Sequence, residues 1–156
     1  MAASVDVVEF QLGEEHYALD IQIAREIVEM MPITPLPRAP EYLAGVINLR
    51  GEITNIIDLR DLLGLPASEE GENRKIVVLM PDVASGSNVG IIVDDVHSVI
   101  SVHNDQIEHI SDDITSSISG YVKAIIKIGD EKTKSLIIWL DIQKVISDLG
   151  YYQNTQ

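Results

Sequence analysis

The chain has 156 residues, a formal net charge of −14 and no cysteine, which excludes disulfides, thiol chemistry and cysteine-ligated zinc. Its 11 basic residues are scattered, with Arg74-Lys75 the only adjacent pair, so no basic face exists to neutralise nucleic-acid phosphates or to adhere to anionic membranes. Hydrophobic residues make up 46% of the chain but aromatics only 4%, so Ile, Val and Leu must fill the core of one domain or two joined subdomains, a composition that favours strands.

Residues 7–12 alternate and predict a strand, Gly13 turns the chain, and residues 16–19 predict its partner. Asp20 is placed to cap a short helical turn, and residues 27–31 read as extended again. Pro32, Pro35, Pro37 and Pro40 deny both helix and central strand, so an ordered, extended connection follows. The run Gly45-Val46-Ile47-Asn48-Leu49-Arg50-Gly51 then leads into Glu52-Ile53-Thr54-Asn55-Ile56-Ile57-Asp58-Leu59. This predicts a hairpin whose polar turn carries Arg50, with Gly51 supplying turn geometry that other residues resist. Asp58 is expected to cap a short helix over 59–63 that stops at Gly64, and residues 66–75 read as a solvated acidic loop.

Residues 76–80 and 89–93 predict buried strands on either side of a Gly/Ser loop. Asp94-Asp95 breaks the second, and residues 96–102 continue in alternation. Across 103–120, Ile107, Ile110, Ile114 and Ile118 fit either irregular helical turns or a loop with apolar anchors. Strands follow over 121–128 and 136–140, joined by a turn at 129–132. Asp141 then caps a helix with Ile142, Val145, Ile146 and Leu149 on one face. Gly150 ends it, and residues 151–156 form a frayed C-terminal tail. The first residues, 1–6, lack the basic and apolar regions of a leader, and no apolar run approaches the ~20 residues of a membrane helix. A cytoplasmic protein without direct membrane insertion is expected.

One pattern occurs twice. Tyr17-Ala18-Leu19-Asp20 followed by Ile27 matches Ile91-Ile92-Val93-Asp94 followed by Ile100. Ile56-Ile57-Asp58-Leu59 followed by Leu62-Leu63 matches Trp139-Leu140-Asp141-Ile142 followed by Val145-Ile146, in the same order. This suggests an internal duplication into two β subdomains, each ending in a strand, an aspartate cap and a short helix. Many short strands with few helices point to small barrels, which protect strand edges.

Residues 10–17, 20–28, 32–40, 45–51, 56–64 and 89–100, in this order and spacing, resemble the CheW-like domain family along nearly the whole chain. The chain is similar to the family's stand-alone adaptors rather than to a CheA kinase or an adaptor fused to a receiver domain. The resemblance implies a mainly β fold of two five-stranded SH3-like β-barrel subdomains related by a pseudo-twofold, with short helices. It implies a single CheW-like domain over 7–150, with approximate subdomains 10–80 and 81–140 whose termini can be exchanged between barrels. It further implies a non-catalytic chemotaxis scaffold. Its partners would be the cytoplasmic tips of methyl-accepting chemotaxis receptors, the regulatory domain of a CheA-type histidine kinase, and other CheW copies in rings. No cofactor is implied, and the protein would be recruited to membrane-associated receptor arrays. An adaptor of the same fold in a non-taxis two-component or pilus-motility pathway is the alternative.

Two positions carry over from the family. Arg50 occupies the arginine of its N-L-R-G turn, and Glu26 the acidic position after the first barrel's aspartate. With Asn48, Leu49 and Ala24, where relatives often carry valine, they form the implied receptor-binding set. The implied kinase-binding set is Ile27, Val28, Met30, Ile110 and Ile114, although Ile27, Val28, Met30 and Met31 also fit a core. Asn55 replaces a proline common in relatives, and residues 111–119 depart most from the family pattern.

Without the resemblance, Arg50 reads as a solvated turn arginine and Glu26 as a local ion-pair partner. Asp58, Asp94 and Asp141 read as caps or turn formers. Asp112-Asp113 lacks a calcium-loop pattern, and His16, His97, His103 and His109 form no metal signature. No Gly-x-Ser-x-Gly elbow or phosphate-cradling loop occurs. A hydrolase would need two carboxylates in one cleft with displaced pKa values, and nothing in the sequence demands them. The expectation is a binding protein, not an enzyme, with no metal.

Overall fold

The computed structural model describes residues 4–66, 73–109, 120–129, 132 and 135–153. Ile110 and Ile114 lie outside the described residues, as does most of the expected acidic loop. The fold is mainly β. The elements are β1 (Ser4–Leu12), β2 (Glu15–Asp20), β3 (Ala24–Glu29), β4 (Leu43–Leu49), β5 (Glu52–Asp58), α1 (Leu59–Leu62), β6 (Lys75–Leu79), β7 (Val89–Val93), β8 (Asp95–His103), β9 (Ile107–Glu108), β10 (Val122–Ile128), β11 (Ser135–Leu140) and α2 (Ile142–Gln153).

Both helices begin as the aspartates predict. Asp58 Oδ1 accepts from the Arg60 amide at 3.1 Å, and Asp141 Oδ1 accepts from the Lys144 amide at 3.1 Å. Two local expectations are corrected. Helix α2 runs through Gly150 to Gln153, because one glycine costs a helix only about 1 kcal/mol while Ile142, Val145, Ile146 and Leu149 are all buried. Asp20 precedes a 3₁₀ turn (Ile21–Ile23), but its carboxylate is taken elsewhere. Trp139 Nε1 donates to its Oδ1 at 2.6 Å, and Lys123 Nζ to its Oδ2 at 2.8 Å. The Lys123 ammonium also lies over the Trp139 ring at 5.2 Å, an attraction of the cation–π kind. Residues 104–106 form one 3₁₀ turn before β9.

Two sheets form, in the orders β8-β1-β2-β11-β10-β9 and β3-β6-β7-β5-β4. Strand for strand they match: β8 corresponds to β3, β1 to β6, β2 to β7, β11 to β5 and β10 to β4. Each contains a parallel pair at the corresponding place, β2 with β11 and β7 with β5. The Asp58 amide donates to the Tyr42 carbonyl and the Asp141 amide to the Tyr121 carbonyl, both at 2.7 Å. The duplication read in the sequence is thus visible in topology.

The chain divides into two compact units, one of residues 1–21 with 97–156, the other of residues 22–96. The approximate subdomain limit at 80/81 lies between β6 and β7, which pair antiparallel, and the expectation allows the termini to be exchanged. The two units arise by an exchange of segments. Each unit takes the opening strand pair of one repeat and the third strand, closing hairpin and helix of the other. The sequence repeat and the folded unit therefore have different boundaries.

The first unit is centred on Val7, Ala18, Val102, Ala124, Ile126, Ile137 and Trp139. Its helix is tied to β10 by Tyr121, whose hydroxyl donates to Asp148 Oδ2 at 2.8 Å. That bond, with burial and the nearby carboxylate charge, raises the tyrosine above its ordinary value of 10.0. The contribution to stability is present in full below the unfolded tyrosine's pKa and is lost as pH rises through the higher folded value. Thermal midpoints from about pH 8 to about pH 11 are expected to fall more steeply at the alkaline end for the parent than for Tyr121→Phe. Parallel curves would remove the bond from the account.

The second unit is centred on Ile47, Leu49, Ile56, Ile76, Val78 and Ile92. Its sheet curls until its ends meet. Glu26 on β3 pairs with Arg50 at the β4–β5 turn, and Thr34 bridges to Val46 on β4.

Candidate functional site

The site is the tip of the β4–β5 hairpin with the facing part of β3, all within the second unit. Leu49 pairs with Glu52, so Arg50 and Gly51 form a two-residue turn. Both have positive φ, 51° and 89°, the pattern of a type I′ turn. The Gly51 amide donates to Asn48 Oδ1 at 2.8 Å, which braces the turn. Asparagine or aspartate is the usual first residue in such a turn, because a long side chain with positive φ is strained. Here an arginine occupies it, with its side chain 60% exposed.

Arg50 Nη2 donates to Glu26 Oε1. Beside this pair, Arg25 Nη1 stands 3.7 Å from Glu52 Oε2, and Asn88 Nδ2 donates to the same oxygen at 3.3 Å. Ala24 is half-buried on β3, at an irregularity of register between Ala24 and Glu26. The structure therefore groups Arg50, Glu26 and Asn48 at one rim, with Ala24 on the same strand as Glu26. Leu49 is corrected. It is only 8% exposed and packs in the core, so it anchors the turn from beneath and offers little contact surface.

Ile53 was not singled out from sequence, yet it is 62% exposed while the neighbouring Thr54 is 1% exposed. The turn causes this inversion. With only Arg50 and Gly51 in the loop, Asn48 faces Ile53 on the outer side and Ile47 faces Thr54 on the inner side. Counting outward from the turn, with Asn48 taken as solvent-facing, would have revealed it. An exposed isoleucine near an exposed arginine gives this rim both an apolar and a charged side chain.

Of the residues implied for kinase binding, Ile27, Val28 and Met30 are among the described ones. Along β3, exposure alternates, so Ile27 is 41% exposed while Val28 and Met30 pack against the core of the unit. Met30 instead joins Met31, Ile33, Ala44, Asp58, Arg74 and Ile92 around a cleft of about 450 Å³. Among the described residues, the buried Arg74 Nε has no hydrogen-bond partner. Elsewhere, Asp94 pairs with Arg60 at 2.9 Å, and His16 and His97 stack at 5.0 Å, bonded to Glu9 and Gln11. Among the described residues, no group of three or more His, Asp or Glu side chains is placed to hold a metal, and no helix is long and apolar enough to cross a membrane.

The model of the CheW-like domain family matches residues 6–150. This chain belongs to the CheW-like domain family. It is 35% identical over 143 residues to the chemotaxis protein CheW of Treponema pallidum, covering 90% of this chain and 81% of the relative. It is 32% identical over 146 residues to that of Thermotoga maritima, covering 92% and 89%. Among solved structures it resembles the scaffolding protein TtCheW from Thermoanaerobacter tengcongensis, with a TM-score of 0.78, 32% identity and 92% of each chain covered. CheW-family membership places the chain among chemotaxis scaffolds and adaptors.

Proposed function

We propose that this chain is a non-catalytic scaffold that couples methyl-accepting chemotaxis receptors to the regulatory domain of a CheA-type histidine kinase. It would act in the cytoplasm, gathered with further copies into membrane-associated receptor arrays, and would need no cofactor. The observation that carries the reading is Arg50, held with positive φ where a turn-forming residue would cost less, beside the outward-facing Ile53. Strain kept at an exposed charged residue is expected where the side chain is needed by a partner.

The receptor tip is assigned to the rim made by Arg50, Glu26, Asn48, Ile53 and Ala24. Its guanidinium and apolar side chain suit a helical tip that offers carboxylates beside apolar residues. The kinase domain is assigned to the other end of β4, around Met30 and its cleft, with Ile27 and Val28 as further candidate contacts; Ile110 and Ile114 remain kinase candidates on the family resemblance alone. A scaffold that touches both partners biases the kinase when receptor packing changes, provided that the contacts differ between signalling states.

Calorimetric titration of the full chain with a receptor cytoplasmic fragment, and separately with the kinase regulatory domain, tests this. Saturable binding to both, with Arg50→Glu weakening receptor binding at least about tenfold, is the expected result. Binding to neither would end the adaptor reading. Equal receptor binding by Arg50→Glu would move the receptor site elsewhere.

A further inference from the structure

A second arginine in the same unit shares the conformational strain of Arg50. Arg38 has a φ of 61° and sits in the turn Leu36-Pro37-Arg38-Ala39, closed by the Ala39 amide donating to the Leu36 carbonyl at 3.4 Å. Proline followed by a residue of positive φ is the pattern of a type II turn, which favours glycine or asparagine at that second place. Unlike Arg25, Arg50 and Arg60, each paired with a carboxylate, Arg38 has no hydrogen bond or ion pair among the described residues. A chain with 25 acidic residues and 11 basic ones thus leaves this exposed arginine without a carboxylate partner among the described residues. Leu36 beside it is 40% exposed.

The turn is held firmly. Thr34 exchanges two backbone hydrogen bonds with Val46, both 2.9 Å, and the Leu43 amide donates to the Pro40 carbonyl at 3.0 Å. Pro35, Pro37 and Pro40 limit the backbone between these anchors. The Thr34–Val46 bridge is antiparallel, so the chain beyond Thr34 runs towards the Leu43 end of β4, away from Arg50. Over the six steps from Leu43 to Leu49 a strand spans about 20 Å. Ile33 and Ala44 line the cleft at that same end, so Leu36 and Arg38 continue the surface assigned above to the kinase.

We infer that Leu36 and Arg38 form a rigid docking knuckle for the kinase regulatory domain, Leu36 entering an apolar pocket and Arg38 meeting a carboxylate at its edge. The inference rests on the adaptor reading and adds to it the residues that select the partner at this end. An ordered turn loses little entropy on binding, and arginine beside an apolar anchor is a frequent composition of interface hot spots.

Arg38→Asn is the informative variant, since asparagine tolerates positive φ and should leave the thermal midpoint no lower than the parent's. Titrated with the kinase regulatory domain, Arg38→Asn and Leu36→Ser are each expected to bind at least about fivefold more weakly. Arg38→Asn should also show a shallower dependence of affinity on salt, which a merely structural residue would not produce. Binding of the receptor fragment should be unchanged. If both variants bind the kinase domain as the parent does, the knuckle is not a contact and the adaptor reading survives. If the parent itself binds no kinase domain, the adaptor reading falls and this inference with it.

Discussion

Gly45→Ala is expected to destabilise the second unit by about 3–5 kcal/mol, the sum of overpacking, backbone strain and lost hydrogen bonds. A Cβ at position 45 would stand 2.2 Å from the Thr34 carbonyl oxygen, 2.7 Å from its carbon and 2.8 Å from Ile33 Cγ2. Backbone cannot retreat as a side-chain tip can. The φ of 145° at Gly45 adds strain for any residue with a side chain. Relief would require the proline strap to leave β4, breaking both Thr34–Val46 hydrogen bonds. Gly90→Ala is the control. There the Cβ would meet Ile76 Cγ2 at 2.8 Å and Ile56 Cδ1 at 3.1 Å, which are movable side-chain ends, so about 1–3 kcal/mol is expected. Urea unfolding of both variants checks the order. A Gly45→Ala midpoint close to the parent's would mean that the strap does not hold the unit together.

Gly45 also marks where sequence reasoning stops. Its place at the head of the Gly45–Gly51 run was evident, but its need for a missing side chain arises from Thr34, eleven positions earlier in a segment that reads only as extended. The strands themselves were legible, because continuous runs such as residues 76–79 and 89–93 are apolar and all buried. The Asp58 and Asp141 caps were legible for the local reason that a short carboxylate reaches back to nearby amides. The exchange of termini came only from the family resemblance, since an exchange of strand pairs between repeats leaves each repeat's own pattern intact. Ile53 stayed hidden because apolar residues are read as facing inward by default. The two-residue turn overrides that default by setting the register. Arg38 was invisible for a related reason, since nothing in a proline-rich string announces a positive φ at an arginine.

Arg50→Asn is expected to separate stability from function. Asparagine followed by glycine is a preferred pair for a type I′ turn, so the variant should be more stable than the parent by about 0.5–1 kcal/mol. The lost pair with Glu26 subtracts little, because Arg50 is mostly exposed and such pairs contribute at most about 1 kcal/mol. Binding of a receptor fragment should nevertheless weaken at least about tenfold, or about 1.4 kcal/mol. Ile53→Ser should act in the same direction, weakening receptor binding with little loss of stability, because Ile53 is already 62% exposed. A residue kept for the fold shows the opposite pattern, with stability falling and binding following it. Chemical unfolding and calorimetry on the same preparations distinguish the two. If Arg50→Asn were less stable yet bound receptor normally, the positive φ at Arg50 would reflect a structural need. The assignment of this rim to the receptor would then fail.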